Sequence, residues 1–282
     1  MTLHETLAEV RARLVAAGFS AADAAIDVDL LARRILGWDR ARLITSMHTD
    51  TPSTLEPTLS EWVERRARRE PAAYITGVRE FWGLEFRVSP AVLIPRPETE
   101  FIVEEALPLL RSVQAPRIAD IGTGSGCLGI ALAHEVRDAT VIASDLSEDA
   151  LRVASANAAV HDVAARMRFV HTSYLDGVEG TFDMIVSNPP YVRYRDKSAI
   201  AADVRHEPEV ALFGGDDGLR DVAGVLDTAA QKLRPGGWFL MEFGYGQEDD
   251  VRALVASRPA LRVARVREDL QGIARTAIIE RP

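Results

Sequence analysis

The sequence predicts an α/β protein: an open, largely parallel sheet with helices on both faces, preceded by a small helical bundle and a β-hairpin. Three observations carry this. After residue 114, short apolar runs of strand length alternate with helix-length segments, the rhythm of a parallel sheet. Before residue 75 the apolar residues recur at helical spacing. Between the two lies a stretch of aromatic and β-branched residues punctuated by glycine.

Thr2 with Glu5 three residues on is a capping box, and Leu3, Leu7, Val10 and Leu14 continue a helical stripe that Gly18 stops. Ser20 and Asp23 open a second helix with Ala24, Val28, Leu31 and Ile35 on one face and Gly37 behind it. A short helix after Asp39 and a longer one carrying Leu55, Leu59, Trp62 and Ala67 complete the bundle, assigned to residues 1–75, with Pro71 as its stop. The basic run Arg65, Arg66, Arg68 and Arg69 reads as a solvated outer face, with an acidic or nucleic-acid surface as the other reading. Residues 76–96, with Phe81-Trp82-Gly83-Leu84 at their centre, form the expected hairpin linker, and Pro97 opens the domain 97–282 by starting a helix whose first turn holds Glu98 and Glu100. Arg96, fixed between two prolines, faces either a ligand or a structural carboxylate.

Within that domain strands are expected at 117–121, 140–144, near 168–170, at 182–186 and at 238–243, with helices from about Cys127, over 148–160, and around Val222 to Ala229. Pro235-Gly236-Gly237 reads as a turn, and 263–266 with 276–279 as a closing antiparallel pair. Charge follows the same division. Residues 1–90 hold 12 Lys+Arg against 13 Asp+Glu, so from totals of 33 and 42 the remainder holds 21 against 29. The acidity lies in the larger domain, which argues against duplex nucleic acid as a stable partner. The only cysteine, Cys127, lies among Gly126, Leu128 and Ile130 and reads as a small buried hydrophobe. No apolar run reaches the ~18 residues of a membrane span, and the expected location is the cytoplasm. No residue cluster suggests a metal.

Two stretches carry chemistry. Gly122-Thr123-Gly124-Ser125-Gly126 lets the backbone approach a ligand at the strand edge, and Asp145, ending the next strand, is placed to accept from a ribose diol. Gly124 to Gly129 also satisfies GxGxxG, with Asp145 about 20 residues on, so this loop alone does not separate a nicotinamide dinucleotide from S-adenosylmethionine. Ser187-Asn188-Pro189-Pro190-Tyr191 separates them. Each proline fixes its own φ and extends the residue before it, which leaves the Asn188 amide oxygen and the Pro189 carbonyl as paired acceptors and Tyr191 as a flat face. A nitrogen methyltransferase needs two such acceptors to take the N–H groups of a planar NH2 and turn its lone pair to a sulfonium methyl; hydride transfer has no evident use for them. These residues alone do not choose between a glutamine amide and an adenine amino group.

Taken together, Tyr74-Ile-Thr-Gly77 with Arg79-Glu-Phe-Trp82, Leu93 to Glu100 around Ile-Pro-Arg-Pro, Asp120 to Gly126, Ser187 to Tyr191, and His206-Glu-Pro208 with Gly214-Gly215 resemble the release factor glutamine methyltransferases, the PrmC/HemK family. The resemblance covers nearly the whole chain. It implies a Rossmann-like S-adenosylmethionine-dependent methyltransferase domain, and methylation of the side-chain amide nitrogen N5 of the glutamine in the Gly-Gly-Gln loop of peptide chain release factors. The small N-terminal domain is then the recogniser of the protein substrate. By the same resemblance Gly122, Thr123, Gly124, Ser125, Gly126, Asp145, Tyr174 and Asn188 hold the cofactor, Asn188, Pro189, Pro190 and Tyr191 hold the glutamine, and Asn188, Pro189 and Tyr191 are the catalytic set. The chain departs from the family in one place: Ser173-Tyr174 stands where an acidic residue followed by an aromatic is common. Adenine-N6 methylation of nucleic acid and nicotinamide-dependent oxidoreduction are the alternatives.

Overall fold

The structure, a computed structural model, describes residues 1–282. The chain divides into two compact units, Met1–Gly77 with Ala201–His206, and Val78–Ile200 with Glu207–Pro282.

In the first unit, α1 (Leu3–Ala16) starts at the expected capping box, with the Thr2 N–H donating to Glu5 Oε2 at 2.7 Å. α2 (Ala21–Leu36) is capped by Ser20 and closed by Gly37 in the left-handed conformation, and α3 (Arg40–Thr45) is capped by Asp39. α4 (Thr58–Ala67) begins after Leu55, which packs in the core from the preceding turn. Pro71 does not end the bundle; it precedes a further short helix, α5 (Ala72–Thr76). Leu3, Leu7, Leu14, Val28, Leu31, Leu59 and Val63 are fully buried together, as their spacing requires.

Of the basic run only Arg68 is exposed as a solvated face requires; the other three are engaged. Arg66 is 7% exposed; its Nε pairs with Asp27 and its Nη2 with Asp203, each at 2.7 Å. The guanidinium groups of Arg66 and Arg69 lie 4.3 and 3.9 Å from the Phe19 ring centre, and Arg65 forks onto Glu70. A buried charge must be paired, and here both carboxylates come from this unit.

In the second unit, β1 (Val78–Phe81) and β2 (Leu84–Arg87) form an antiparallel hairpin closed by Trp82 and Gly83, both at positive φ, as a tight two-residue turn demands. After a single 3₁₀ turn over Pro97–Thr99 come α6 (Glu100–Leu110), β3 (Arg117–Ile121), α7 (Cys127–Glu135), β4 (Thr140–Asp145), α8 (Glu148–Val160), β5 (Met167–His171) and β6 (Phe182–Ser187). α9 (Glu209–Leu212), α10 (Arg220–Lys232), β7 (Leu233–Glu242), α11 (Glu248–Ala256), β8 (Arg262–Glu268) and β9 (Ala274–Glu280) follow. The seven strands lie in the order β5-β4-β3-β6-β7-β9-β8, parallel as far as β7 and antiparallel for the closing pair. Successive strand residues face opposite sides: Ile118, Val141 and Met184 pack with α6, α7 and the hairpin, while Ala119, Ile185 and Phe239 pack with α10 and α11. This is the mostly parallel, doubly covered sheet expected from the sequence. α9 and α11 were not anticipated, and Pro235–Gly237 lie within β7 where its register against β6 shifts between Phe182 and Met184.

Replacing Arg66 by alanine leaves the half-buried Asp27 without a cation. Arg66→Ala is expected to lower the unfolding free energy by about 2–3 kcal/mol, the scale of lost hydrogen bonds to a charged group, as read from urea midpoints of the variant and the parent.

Candidate active site

Parallel register places Ile121 beside both Ser144 and Ser187. The Ser187 hydroxyl donates to the Ile121 carbonyl at 2.8 Å, and the Gly122 and Thr123 N–H groups both donate to Ser144 O at 2.9 Å. The glycine loop, Asp145 and Asn188 therefore leave the sheet side by side, between β3 and β6 where the strand order reverses. Open α/β sheets hold ligands at that point. A cleft of about 1120 Å³, its open mouth included, lies there.

Its first wall is backbone. Gly122 and Gly124 have φ of 69° and 55°, and a methyl group on Gly122 would meet no other atom within 4 Å. Conformation, not crowding, requires glycine here, and the result is a cradle open to the cleft. Gly124 N–H donates to Asp145 Oδ2 and Ser147 N–H to Oδ1, each at 2.9 Å. Burial pushes the Asp145 carboxyl up from its ordinary value, against these backbone donors, which pull it down. Thr123 and Ser125 line the cleft; Gly126 does not, since it caps α7 and lies against Ile130 and Ala154. Cys127 is half-buried and lines the cleft as well, its thiol pushed up to about 12 by burial, so it is no nucleophile. Beneath the loop Asp120 is 1% exposed and accepts from Thr123 Oγ1 at 2.6 Å and Gly129 N at 3.0 Å; burial raises it to about 6.

Tyr174, at φ 49°, lies against Gly224 of α10, and its hydroxyl donates to Asp221 Oδ1 at 3.1 Å. Both residues line the cleft, and Ser173 does not. Burial, then the Asp221 carboxylate, pushes the Tyr174 phenol up to about 12. Opposite, Asn188, Pro189 and Pro190 form the wall, and Tyr191 turns away from it. The Tyr191 ring packs in the core against Gly244, and its hydroxyl donates to Glu242 Oε1 at 2.8 Å. Asn188 Nδ2 donates to Thr99 Oγ1 at 3.0 Å, and Thr99 in turn to Glu242 Oε2 at 2.6 Å. Asn188 Oδ1 receives no proton from the protein and is left as an acceptor in a wall that Pro189 also lines. Gly214 packs behind this turn, where a β-carbon would come within 2.3 Å of Pro190 O. Arg96 is held at 2.5 Å by Glu207, which also accepts from Ile94 N at 3.0 Å, so the arginine between two prolines has a structural carboxylate while still lining the cleft.

Known proteins place the whole chain in a family. Residues 100–212 match the family profile "Methyltransferase small domain" and residues 5–77 match "PrmC N-terminal domain". A release factor glutamine methyltransferase of Bradyrhizobium diazoefficiens is 40% identical over 90% of this chain and 86% of its own length. The chain belongs to the release factor glutamine methyltransferase family. Another member, from Nitratidesulfovibrio vulgaris, is 44% identical over 77% of this chain and 74% of its own. Among solved structures, a ribosomal protein L11 methylase from Lactobacillus delbrueckii subsp. bulgaricus superposes with TM-score 0.50 at 22% identity, covering 70% of this chain and 84% of that one. The hMettl16 catalytic domain in complex with a 3′UTR hairpin gives 0.60 at 16% identity over 78% and 82%. At such identities these two share the fold alone. Family membership sets aside the dinucleotide reading that GxGxxG left open, and the seven-stranded order is the methyltransferase domain that the family resemblance implied.

Thr99, Asp120, Asp221 and Glu242 were not read from the sequence as site residues. Two left a trace: Glu242 is the one charge in the otherwise apolar run Trp238 to Phe243, and Thr99 sits in the Ile-Pro-Arg-Pro stretch.

Because the Asp120 carboxyl is raised above its ordinary 3.8 in the folded state, the folded protein binds the extra proton between about 4 and about 6. Stability contributed by that proton is present below 3.8 and lost as pH rises through 6. Asp120→Asn is therefore expected to flatten the fall in urea midpoint between pH 4 and 6.5 relative to the parent.

Proposed function

We propose that the protein transfers the methyl group of S-adenosylmethionine to the side-chain amide nitrogen N5 of the glutamine in the Gly-Gly-Gln motif of peptide chain release factors. The observation that carries this reading is the Asn188 amide in the cleft wall, its Nδ2 engaged by Thr99 and its Oδ1 without a protein donor, in a chain of this family. With the carbonyl of the adjoining Pro189 it would offer two acceptors, a match to the two N–H groups of a primary amide.

The residues fit the cofactor. The cradle at Gly122 and Gly124 leaves room that a side chain would take, Asp145 keeps carboxylate lone pairs for ribose hydroxyls, and Tyr174 with Asp221 supplies an aromatic face and an acceptor for an exocyclic amino group. Asp221 thus answers the missing acid at Ser173-Tyr174: the carboxylate comes from α10 instead. When bound, S-adenosylmethionine supplies a methyl carbon on a sulfonium, which departs as a neutral thioether. The protein's part is position. Asn188 and Pro189 would accept the amide N–H groups and turn the nitrogen lone pair out of conjugation toward the methyl carbon, with the thioether as leaving group and the amide proton passing to solvent. Reacting atoms held about 3–3.5 Å apart and in line need no strong base. Tyr191 is too buried to lose its proton and acts by holding the turn through Glu242. The N-terminal bundle recognises the release factor, and the reaction belongs in the cytoplasm with its substrate. No helix is long and apolar enough to cross a membrane.

Purified protein is expected to transfer labelled methyl to a release factor and not to the factor with that glutamine replaced; equal labelling of both would remove the substrate assignment, and labelling of bare nucleic acid would point to adenine. Asp221→Ala is expected to weaken S-adenosylhomocysteine about tenfold by calorimetry, the scale of one lost hydrogen bond to a charged acceptor, with NADH binding absent in both proteins.

A further inference from the structure

Glu242 is a buried carboxyl without an ion pair: burial pushes it up, while the Thr99 and Tyr191 hydroxyls and the more distant Arg275 charge pull it down and favour its ionised form. It ends β7 at 2% exposure, and its two oxygens take hydroxyl protons from Thr99 and Tyr191, with no Lys, Arg or His at ion-pair distance. Buried carboxylates are costly unless compensated, and two neutral hydroxyls compensate poorly beside an arginine. An apolar residue would suit a strand whose neighbours Leu240, Met241 and Phe243 are all fully buried. The cost of this charge calls for a return elsewhere.

The return lies in the direction of the protons. A hydroxyl has one proton to give. Thr99 gives its own to Glu242, so toward Asn188 it presents only lone pairs, and the Asn188 amide must turn its NH2 to Thr99 at 3.0 Å. The carbonyl oxygen is thereby forced to the cleft. A reversed amide would set an NH2 against the substrate's NH2, donor against donor. Tyr191 makes the parallel bond from the other side, so one carboxylate pins both ends of the Asn-Pro-Pro-Tyr turn. The bonds run through Thr99, which is 2% exposed yet borders the cleft.

We infer that Thr99 and Glu242 are positioning residues for methyl transfer, a proton-direction relay that fixes which face of the Asn188 amide meets the substrate. The inference rests on the glutamine-binding role of Asn188. Thr99→Val keeps the shape and removes the hydroxyl, leaving the amide free to rotate; Thr99→Ser keeps the hydroxyl. Under saturating cofactor with a release factor as substrate, Thr99→Val is expected to lower kcat about 10- to 100-fold, the range for a misplaced reacting group, with S-adenosylhomocysteine affinity changed less than about threefold. Thr99→Ser is expected to recover most of the loss. In the Asn188→Ala background Thr99→Val is expected to cost nothing further, since the two act as a unit. Should Thr99→Val fail to bind S-adenosylhomocysteine, and so fail to fold, Glu242→Gln carries the same test by exchanging one acceptor for a donor. The outcomes separate cleanly. Unchanged turnover in Asn188→Ala overturns the role of Asn188 itself; a large loss there with parental turnover in Thr99→Val and Glu242→Gln, or independent losses that multiply in the double variant, overturns the relay.

Discussion

The register of three parallel strands is the constraint on which the rest of the second unit depends. Because Ile121 stands level with Ser144 and Ser187, the residues that follow each of them emerge at one edge: a glycine turn, a carboxylate and an asparagine. A slip of one residue in either pairing would send Asp145 or Asn188 to the opposite face of the sheet, since side chains alternate. The register is held by buried alternation on both faces, and at the edge by the Ser187 hydroxyl and the Ser144 carbonyl, which tie adjacent strand ends together. Chemistry at this edge is therefore only as well placed as the apolar packing some distance below it.

Much of this was legible in the sequence because the signals are local. Capping residues, alternating apolar runs, a tight hairpin turn and glycines before a helix each act within a few positions of where they stand, and the structure places the first two parallel strands where their apolar runs lie. What escaped has long-range causes. Arg66 looked solvated because its partner Asp203 lies 137 residues away and nothing nearby announces it. Tyr191 was expected to lie flat against the substrate amide and instead points its hydroxyl at Glu242, a carboxylate on another strand. α11 was hidden by acidic residues at its start, Glu248, Asp249 and Asp250, which suit a helix N-terminus but dilute the apolar period.

The cleft has two kinds of wall. One is the backbone cradle at Gly122 and Gly124 with the Asp145 carboxylate bonded to it; the other is the Asn188 turn, where the direction of one hydrogen bond decides which amide atom is left free. Asp221 of α10 accepts from the Tyr174 hydroxyl, so a carboxylate stands beside Tyr174 although its neighbour in the chain, Ser173, is not acidic.

The membership of Ala201–His206 in the first unit has a consequence for biosynthesis. The helices of that unit leave the ribosome long before Asp203 does, so for the time it takes to make more than a hundred residues Arg66 has Asp27 alone. The bundle is thus finished late, by residues 201–206, and a gene cut after Gly77 yields a bundle that lacks one of its own anions.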